Sequence, residues 1–267
     1  MFLEFKSLIR KHIYLFLGKI DKLLRRENKL VVYCYHDISD GPSSYNVSRE
    51  NFVMQMKYLS DWGTNMSLTD MAKSIRGKEK LPKRAFAISF DDGYRGIMGV
   101  TQEIKKLGLK PTVYVFANGH NVIRRGVEAR AKFLSTQEIK TLSKNGWEIG
   151  SHTISHWALT ELDPDKMSKE VYVSKSLLEK EIKQKIKSIA YPHGKYNESV
   201  QTAVQKAGYE FAVSMDDNLL NDTSDLLAIS RVGLMGTHSF GEFKYLASPS
   251  VLLFRKLVKK TFLEKYL

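Results

Sequence analysis

The sequence predicts an α/β fold of about seven mostly parallel strands, arranged as a sheet or a barrel, with a basic amphipathic helix at each end. Three observations predict it. From residue 30 onward, short apolar runs alternate with amphipathic stretches, the pattern of βα units. Several of those stretches stop at a glycine (Gly63, Gly77, Gly108, Gly146, Gly208), the residue that tolerates left-handed backbone at a helix end. The residues able to do chemistry, His36, Asp91, Asp92, His152, His156 and His193, fall just after apolar runs. Loops leaving parallel strands gather on one face, so such residues can meet there.

In chain order, residues 1–29 form the first unit, a helix in which Phe5, Ile9, Ile13, Phe16 or Leu17, Ile20 and Leu24 share one face. Residues 30–240 form the central domain. Its strands are expected at 30–35, 85–90, 112–116, 147–150, 188–191, 210–214 and 227–232. Its helices are expected at 49–61, 67–76, 95–107, 135–145, 164–184 and 197–207. Residues 241–267 form the third unit, with Phe254, Val258 and Phe262 at helical spacing.

With 267 residues, 43% of them hydrophobic, the chain has enough apolar surface for a sizeable core, which argues against global disorder. The net charge of +13 is concentrated at the two ends. Residues 1–30 carry eight Lys and Arg against three acids, and residues 248–267 carry five against one. The central region is close to neutral and shows no nucleic-acid recognition motif, so no nucleic-acid partner is expected. The basic ends fit two readings equally: peripheral contact with an anionic membrane, or packing on the domain with the charged faces solvated. His12, Lys19, Asp21 and Lys22 interrupt any apolar run near the start, so the expected location is cytoplasmic, with the inner membrane leaflet as a possible resting place. Cys34, the single cysteine, sits in an apolar run and reads as a small buried hydrophobe.

Two motifs carry chemistry. Ser89-Phe90-Asp91-Asp92-Gly93 closes an apolar strand with adjacent carboxylates, which suits one as a metal ligand and the other as a base. An isolated Asp-Asp-Gly also reads as a solvated turn. In His152-Thr153-Ile154-Ser155-His156, a helical turn would bring both imidazoles to one side, close enough to share a cation. Two imidazoles and one carboxylate suit zinc, iron, cobalt or another divalent transition metal, and zinc is the default for hydrolysis. Tyr94, Trp157, Tyr191 and Tyr196 lie beside these motifs, where rings serve sugar stacking or core packing.

Together these motifs resemble the NodB-homology polysaccharide deacetylases, carbohydrate esterase family 4, over roughly residues 30–232, and most closely the subgroup like poly-N-acetylglucosamine deacetylases, which implies a distorted (β/α) barrel. Pro111-Thr112-Val113-Tyr114-Val115-Phe116 and Ala207-Gly208-Tyr209 stand in expected neighbouring positions. The resemblance implies that Asp91 is the general base and that Asp92, His152 and His156 hold a divalent metal, Zn2+ first, with Co2+, Ni2+, Mn2+ or Fe2+ as alternatives. It implies a hydrolase that removes N-acetyl groups from an N-acetylhexosamine of a polysaccharide, an oligosaccharide or a lipid-linked glycan, so its partner is an N-acetylated glycan or glycolipid. A related amide or imide hydrolase acting on a non-sugar substrate is the alternative. A non-catalytic glycan-binding protein is a third, against which the intact base and ligand set speaks.

The third family motif is partial, as Ala190-Tyr191-Pro192-His193-Gly194. Ala190 replaces the arginine that orients the base in relatives. Tyr191, Pro192 and His193 are expected at the substrate, His193 through a backbone N–H at the oxyanion. Tyr35-His36-Asp37-Ile38 matches the start of the subgroup's domain and makes His36 the favoured catalytic acid, ahead of His238 and His193. Arg231, beyond the last strand, is expected to supply the missing positive charge by pairing with Asp91.

Overall fold

In chain order the strands are β1 (Leu30–Tyr35), β2 (Asp37–Ile38), β3 (Asn46–Val47), β4 (Thr64–Asn65), β5 (Ala85–Phe90), β6 (Thr112–Val115), β7 (Glu148–Ser151), β8 (Ser188–Ala190), β9 (Phe211–Val213) and β10 (Val232–Gly233). They belong to a computed structural model that describes residues 2–41, 43–117, 132–221 and 224–259. Every residue of β1 and β5 is buried, as a parallel sheet covered on both faces requires. The sheet runs β10-β1-β5-β6-β7-β8-β9 with all neighbours parallel, and β4 pairs with β5 beside this path. An isolated parallel bridge between Val213 and Ile229 carries the β9 edge toward the segment that enters β10, which brings the two edges of a seven-strand half-barrel together.

The helices α1 (Phe2–Leu23), α2 (Arg49–Trp62), α3 (Leu68–Ile75), α4 (Thr101–Lys106), α5 (Thr136–Lys144), α6 (Pro164–Ile182), α7 (Glu198–Lys206), α8 (Phe240–Phe243) and α9 (Pro249–Lys259) alternate with the strands or flank them. Their starts are set by side chains that accept from the first free backbone N–H groups: Ser48, Ser67, Ser135, Asp163 and Asn197. Pro164 in the first turn of α6 fits a position whose N–H needs no helical partner.

Four expectations are corrected, three of them local. Residues 95–107 are not one α-helix: Arg95–Val100 is a 3-10 segment and α4 begins only at Thr101. Gly96 lies in that segment, packed so tightly that a side chain would strike the Asp37 carboxylate. The strand expected at 227–232 shrinks to β10, because Leu226–Ala228 forms a 3-10 turn capped by the Asp225 side chain on Leu227 N. Gly63 is extended rather than left-handed at the end of α2, whereas Gly77, Gly108, Gly146 and Gly208 all have positive φ.

The largest correction concerns α1. Ile13 and Leu17 of the expected apolar face pack on the core, but Ile9, Phe16 and Leu24 are exposed, and the side most deeply set in the domain is Arg10, Tyr14, Gly18 and Asp21. Arg10 Nε donates to Glu242 at 2.8 Å, and another of its N–H groups donates to Thr237 O at 2.7 Å. Asp21 accepts from the N–H and the hydroxyl of Ser250, both at 2.7 Å. Tyr14 meets Phe254 edge to face at 6.3 Å. Gly18 lets Tyr245 lie against the helix backbone. Buried polar contacts thus join Ile13, Tyr14 and Leu17 in docking α1, a contribution that hydrophobic periodicity does not reveal. Among the described residues, no helix is long and apolar enough to cross a membrane. Phe262 lies outside the described residues.

Candidate metal and catalytic site

The two aspartates part company at the end of β5. Asp91 N continues the strand ladder by donating to Tyr35 O at 2.9 Å. Asp92 then turns into left-handed backbone with φ 65°, followed by Gly93 at φ 66°. That reversal, rather than simple strand alternation, sends the carboxylates to different partners.

Asp91 is gripped by Arg231, whose two terminal nitrogens donate to its two oxygens at 2.6 and 2.7 Å. Arg231 is wholly buried and fully occupied. It also donates to Ser89 Oγ and to Ser214 O, both at 3.1 Å, and its guanidinium lies over the Tyr114 ring at 5.5 Å. Burial pushes the Asp91 carboxyl up, but the Arg231 charge, then His152, the Arg231 hydrogen bonds and His36 outweigh it and hold the group well below the usual carboxylate range. The pairing expected from Ala190's missing arginine is therefore present in the fold.

Asp92 Oδ1 faces His152 Nε2 at 3.4 Å and His156 Nε2 at 3.5 Å, and these ligand-type atoms all lie within 4.8 Å of one another. All three side chains are buried, and Asp92 Oδ1 has no hydrogen-bond partner among the described residues. An orphaned anionic oxygen pointing at two imidazole nitrogens is a costly arrangement unless a cation joins them. The donor set therefore fits a divalent transition metal. Burial pushes His152 down, yet Asp92 and Asp91 together raise it above its ordinary value, another sign of a local field that favours a cation.

The His152–His156 segment is not the helical turn expected from its spacing. Thr153 and His156 both have positive φ, 67° and 59°. Sequence reading missed the residue that winds it, Glu170 on α6. One Glu170 oxygen accepts from Ile154 N at 2.7 Å and Ser155 N at 3.1 Å, and the other accepts from the Ser155 hydroxyl. His152 Nδ1 donates to Ala190 O at 2.9 Å, which fixes the tautomer that presents Nε2 to a cation. Phe116 stacks on His152 at 5.5 Å and meets His156 edge on at 5.5 Å, a dry wall behind both rings.

The remaining candidates separate clearly. His36 lies close enough for its charge to help lower both Asp91 and Asp92, and its ring packs on Tyr45 at 4.8 Å. Its Nδ1 is buried without a hydrogen-bond partner among the described residues. His193 packs 4.5 Å from the His156 ring, between Pro192 and Gly194, in left-handed backbone with φ 57°. Burial, then His152 and Lys195, lower its pKa. His238 stands elsewhere: its Nδ1 accepts from Met235 N at 3.0 Å and its ring faces Tyr14 of α1. Burial, then Arg255 and Arg10, disfavour its protonation. Tyr191, expected at the substrate, is 1% exposed and donates to Leu227 O, so its ring belongs to the core. Tyr196 stacks on Tyr191 at 5.2 Å. Tyr94 stacks on Phe133 at 5.3 Å.

Comparison with known proteins adds independent findings. The sequence family described as Polysaccharide deacetylase matches residues 78–212. YxkH of Bacillus subtilis (strain 168), named for polysaccharide deacetylation, is 30% identical over 223 residues, which cover 80% of this chain and 76% of that one. The poly-beta-1,6-N-acetyl-D-glucosamine N-deacetylase of Staphylococcus aureus (strain MRSA252) is 25% identical over 235 residues, 79% of this chain and 80% of its own. The structure of IcaB from Ammonifex degensii superposes with a TM-score of 0.73 at 19% identity, covering 85% of this chain and 98% of that one, and it shares the fold.

Proposed function

This chain belongs to the polysaccharide deacetylase family, and on that premise we propose that it hydrolyses the acetamide of an N-acetylhexosamine in a glycan. The observation that carries the reading is the meeting of Asp92, His152 and His156 from two strand ends, with the ionised Asp91 beside them. Asp92, His152 and His156 hold the metal, and zinc is the first to test, because it serves hydrolysis without redox chemistry. When bound, such a cation polarises the acetyl carbonyl and acidifies a nearby water.

The chain's own groups do the rest. Asp91 takes the proton of the attacking water. Both of its oxygens already accept from Arg231, so it offers a remaining lone pair in a fixed direction, at some cost in basicity. The His193 backbone N–H steadies the oxyanion, and Pro192 sets the turn that presents it. His36 gives a proton to the departing sugar amine.

The name of the Staphylococcus aureus relative makes β-1,6-linked N-acetylglucosamine oligomers the first substrate to offer. The test is acetate release and new amine from these oligomers and from chitooligosaccharides, with zinc supplied. Acetate from N-acetyl sugars supports the proposal. Turnover of non-sugar amides alone would replace it with the amidohydrolase reading.

A further inference from the structure

The end of α1 carries its own pattern. Lys22, Arg25, Arg26, Arg84 and Lys244 line one half-open cleft of about 640 Å³ at the end of α1. Only two acids share that wall, and both are engaged: Asp21 by Ser250, and Glu27 by Arg84 at 2.5 Å. Among the described residues, no carboxylate pairs with Lys22, Arg25, Arg26 or Lys244. Crowded like charges repel one another, and an anionic group entering the cleft relieves that repulsion.

Arg26 also lines a second cleft, of about 690 Å³, with Leu219, Leu253 and Lys256, so the two clefts adjoin at this residue; the acids of that second wall are Asp225 and Asp217, the latter paired with Arg255 and Lys259. Leu23 is 81% exposed and Leu24 52%, immediately before Arg25 and Arg26, while Leu219 and Leu253 are 51% and 59% exposed. Lys244 lies over the Phe240 ring at 4.7 Å, and the surface alternates cations that have no carboxylate partner among the described residues with large apolar side chains. A soluble polyanion makes no use of the leucines, and an apolar protein groove makes no use of these cations. The boundary of an anionic bilayer uses both, with acyl chains taking the leucines and lipid phosphates the cations.

We propose that the end of α1, with α9 and the Leu219 loop, docks this protein on an anionic lipid membrane, with phosphodiester headgroups entering the cleft lined by Lys22, Arg25 and Arg26 and the leucines beside it meeting acyl chains. The association is independent of the hydrolytic reading. Each Lys or Arg near such a surface changes partitioning by about fivefold, and the attraction weakens as salt rises.

The test is co-sedimentation of the full-length protein with phosphatidylcholine vesicles, with and without phosphatidylglycerol. Wild type is expected to bind only the phosphatidylglycerol vesicles. The pair Arg25→Glu and Arg26→Glu should lower that binding by about tenfold or more, and the pair Leu23→Ser and Leu24→Ser by a comparable factor. A soluble polyanion, heparin, serves as the control ligand: the leucine pair should bind it as wild type does. Equal binding of wild type to both vesicle types would overturn the proposal. So would a leucine pair that binds vesicles like wild type, which would assign the clefts to soluble polyanions. Lys256→Glu, at an exposed helical position, repeats the charge test should the paired variants fold poorly.

Discussion

Two sides of the candidate site solve the same electrostatic problem in opposite ways. On the side of β5 and the Arg231 segment, the buried Asp91 is answered in full by a buried guanidinium. On the side of the β7 turn, the buried Asp92 faces the imidazoles of His152 and His156, and one of its oxygens has no hydrogen bond among the described residues. Neighbours in sequence thus differ in who supplies the balancing charge. A carboxylate balanced by the protein works as a fixed group, whereas one left for a partner marks the place of a ligand.

The sharpest way to test that contrast is to remove each group in turn. Asp91→Asn is expected to keep its metal and lose about 10²–10⁴-fold in kcat/KM, whereas His152→Ala should lose the metal, as metal analysis of both proteins will show. Arg231→Met comes next, because it strands Asp91 as an uncompensated buried charge. A loss of about 3–5 kcal/mol in chemical denaturation is expected.

The same variant carries a pH signature. Asp91's carboxyl is depressed in the folded state, so its contribution to stability is present above the unfolded value of about 3.9 and is lost as pH falls toward the folded one. With Arg231 gone, burial dominates. The acid limb of kcat/KM and the onset of acid unfolding should both move to higher pH, by about 1–3 units for the limb. An unmoved limb would mean that Arg231 does not tune the base.

Smaller effects probe the other side. Glu170→Ala should weaken metal binding by about 10–100-fold in a chelator competition, with Asp91's pH limb untouched. Last, Tyr191→Phe should cost about 1 kcal/mol of stability through the hydrogen bond to Leu227 and leave kcat/KM for glycan unchanged. A large rise in KM would return Tyr191 to the substrate.

The strands of the barrel were legible because parallel strands buried on both faces write themselves as continuous apolar runs: β1 and β5 fall where the runs do. The ligand set was legible because its residue types and spacing are chemically constrained. Glu170 was not, since a glutamate within an amphipathic helix looks the same whether it meets water or a loop 15 residues away in sequence. The docking side of α1 escaped for a related reason. Arg10 and Asp21 are buried by partners more than 200 positions distant, and periodicity reports only average hydrophobicity around a helix. Tyr191 shows the same limit, because proximity to a motif does not fix the direction of a ring.

Glu170 winds the turn that carries His152 and His156 through the protein's own hydrogen bonds, with two non-glycine residues held in a backbone shape they otherwise avoid. The spacing of the two imidazoles is thus inherited from folding instead of being moulded by whichever ion arrives.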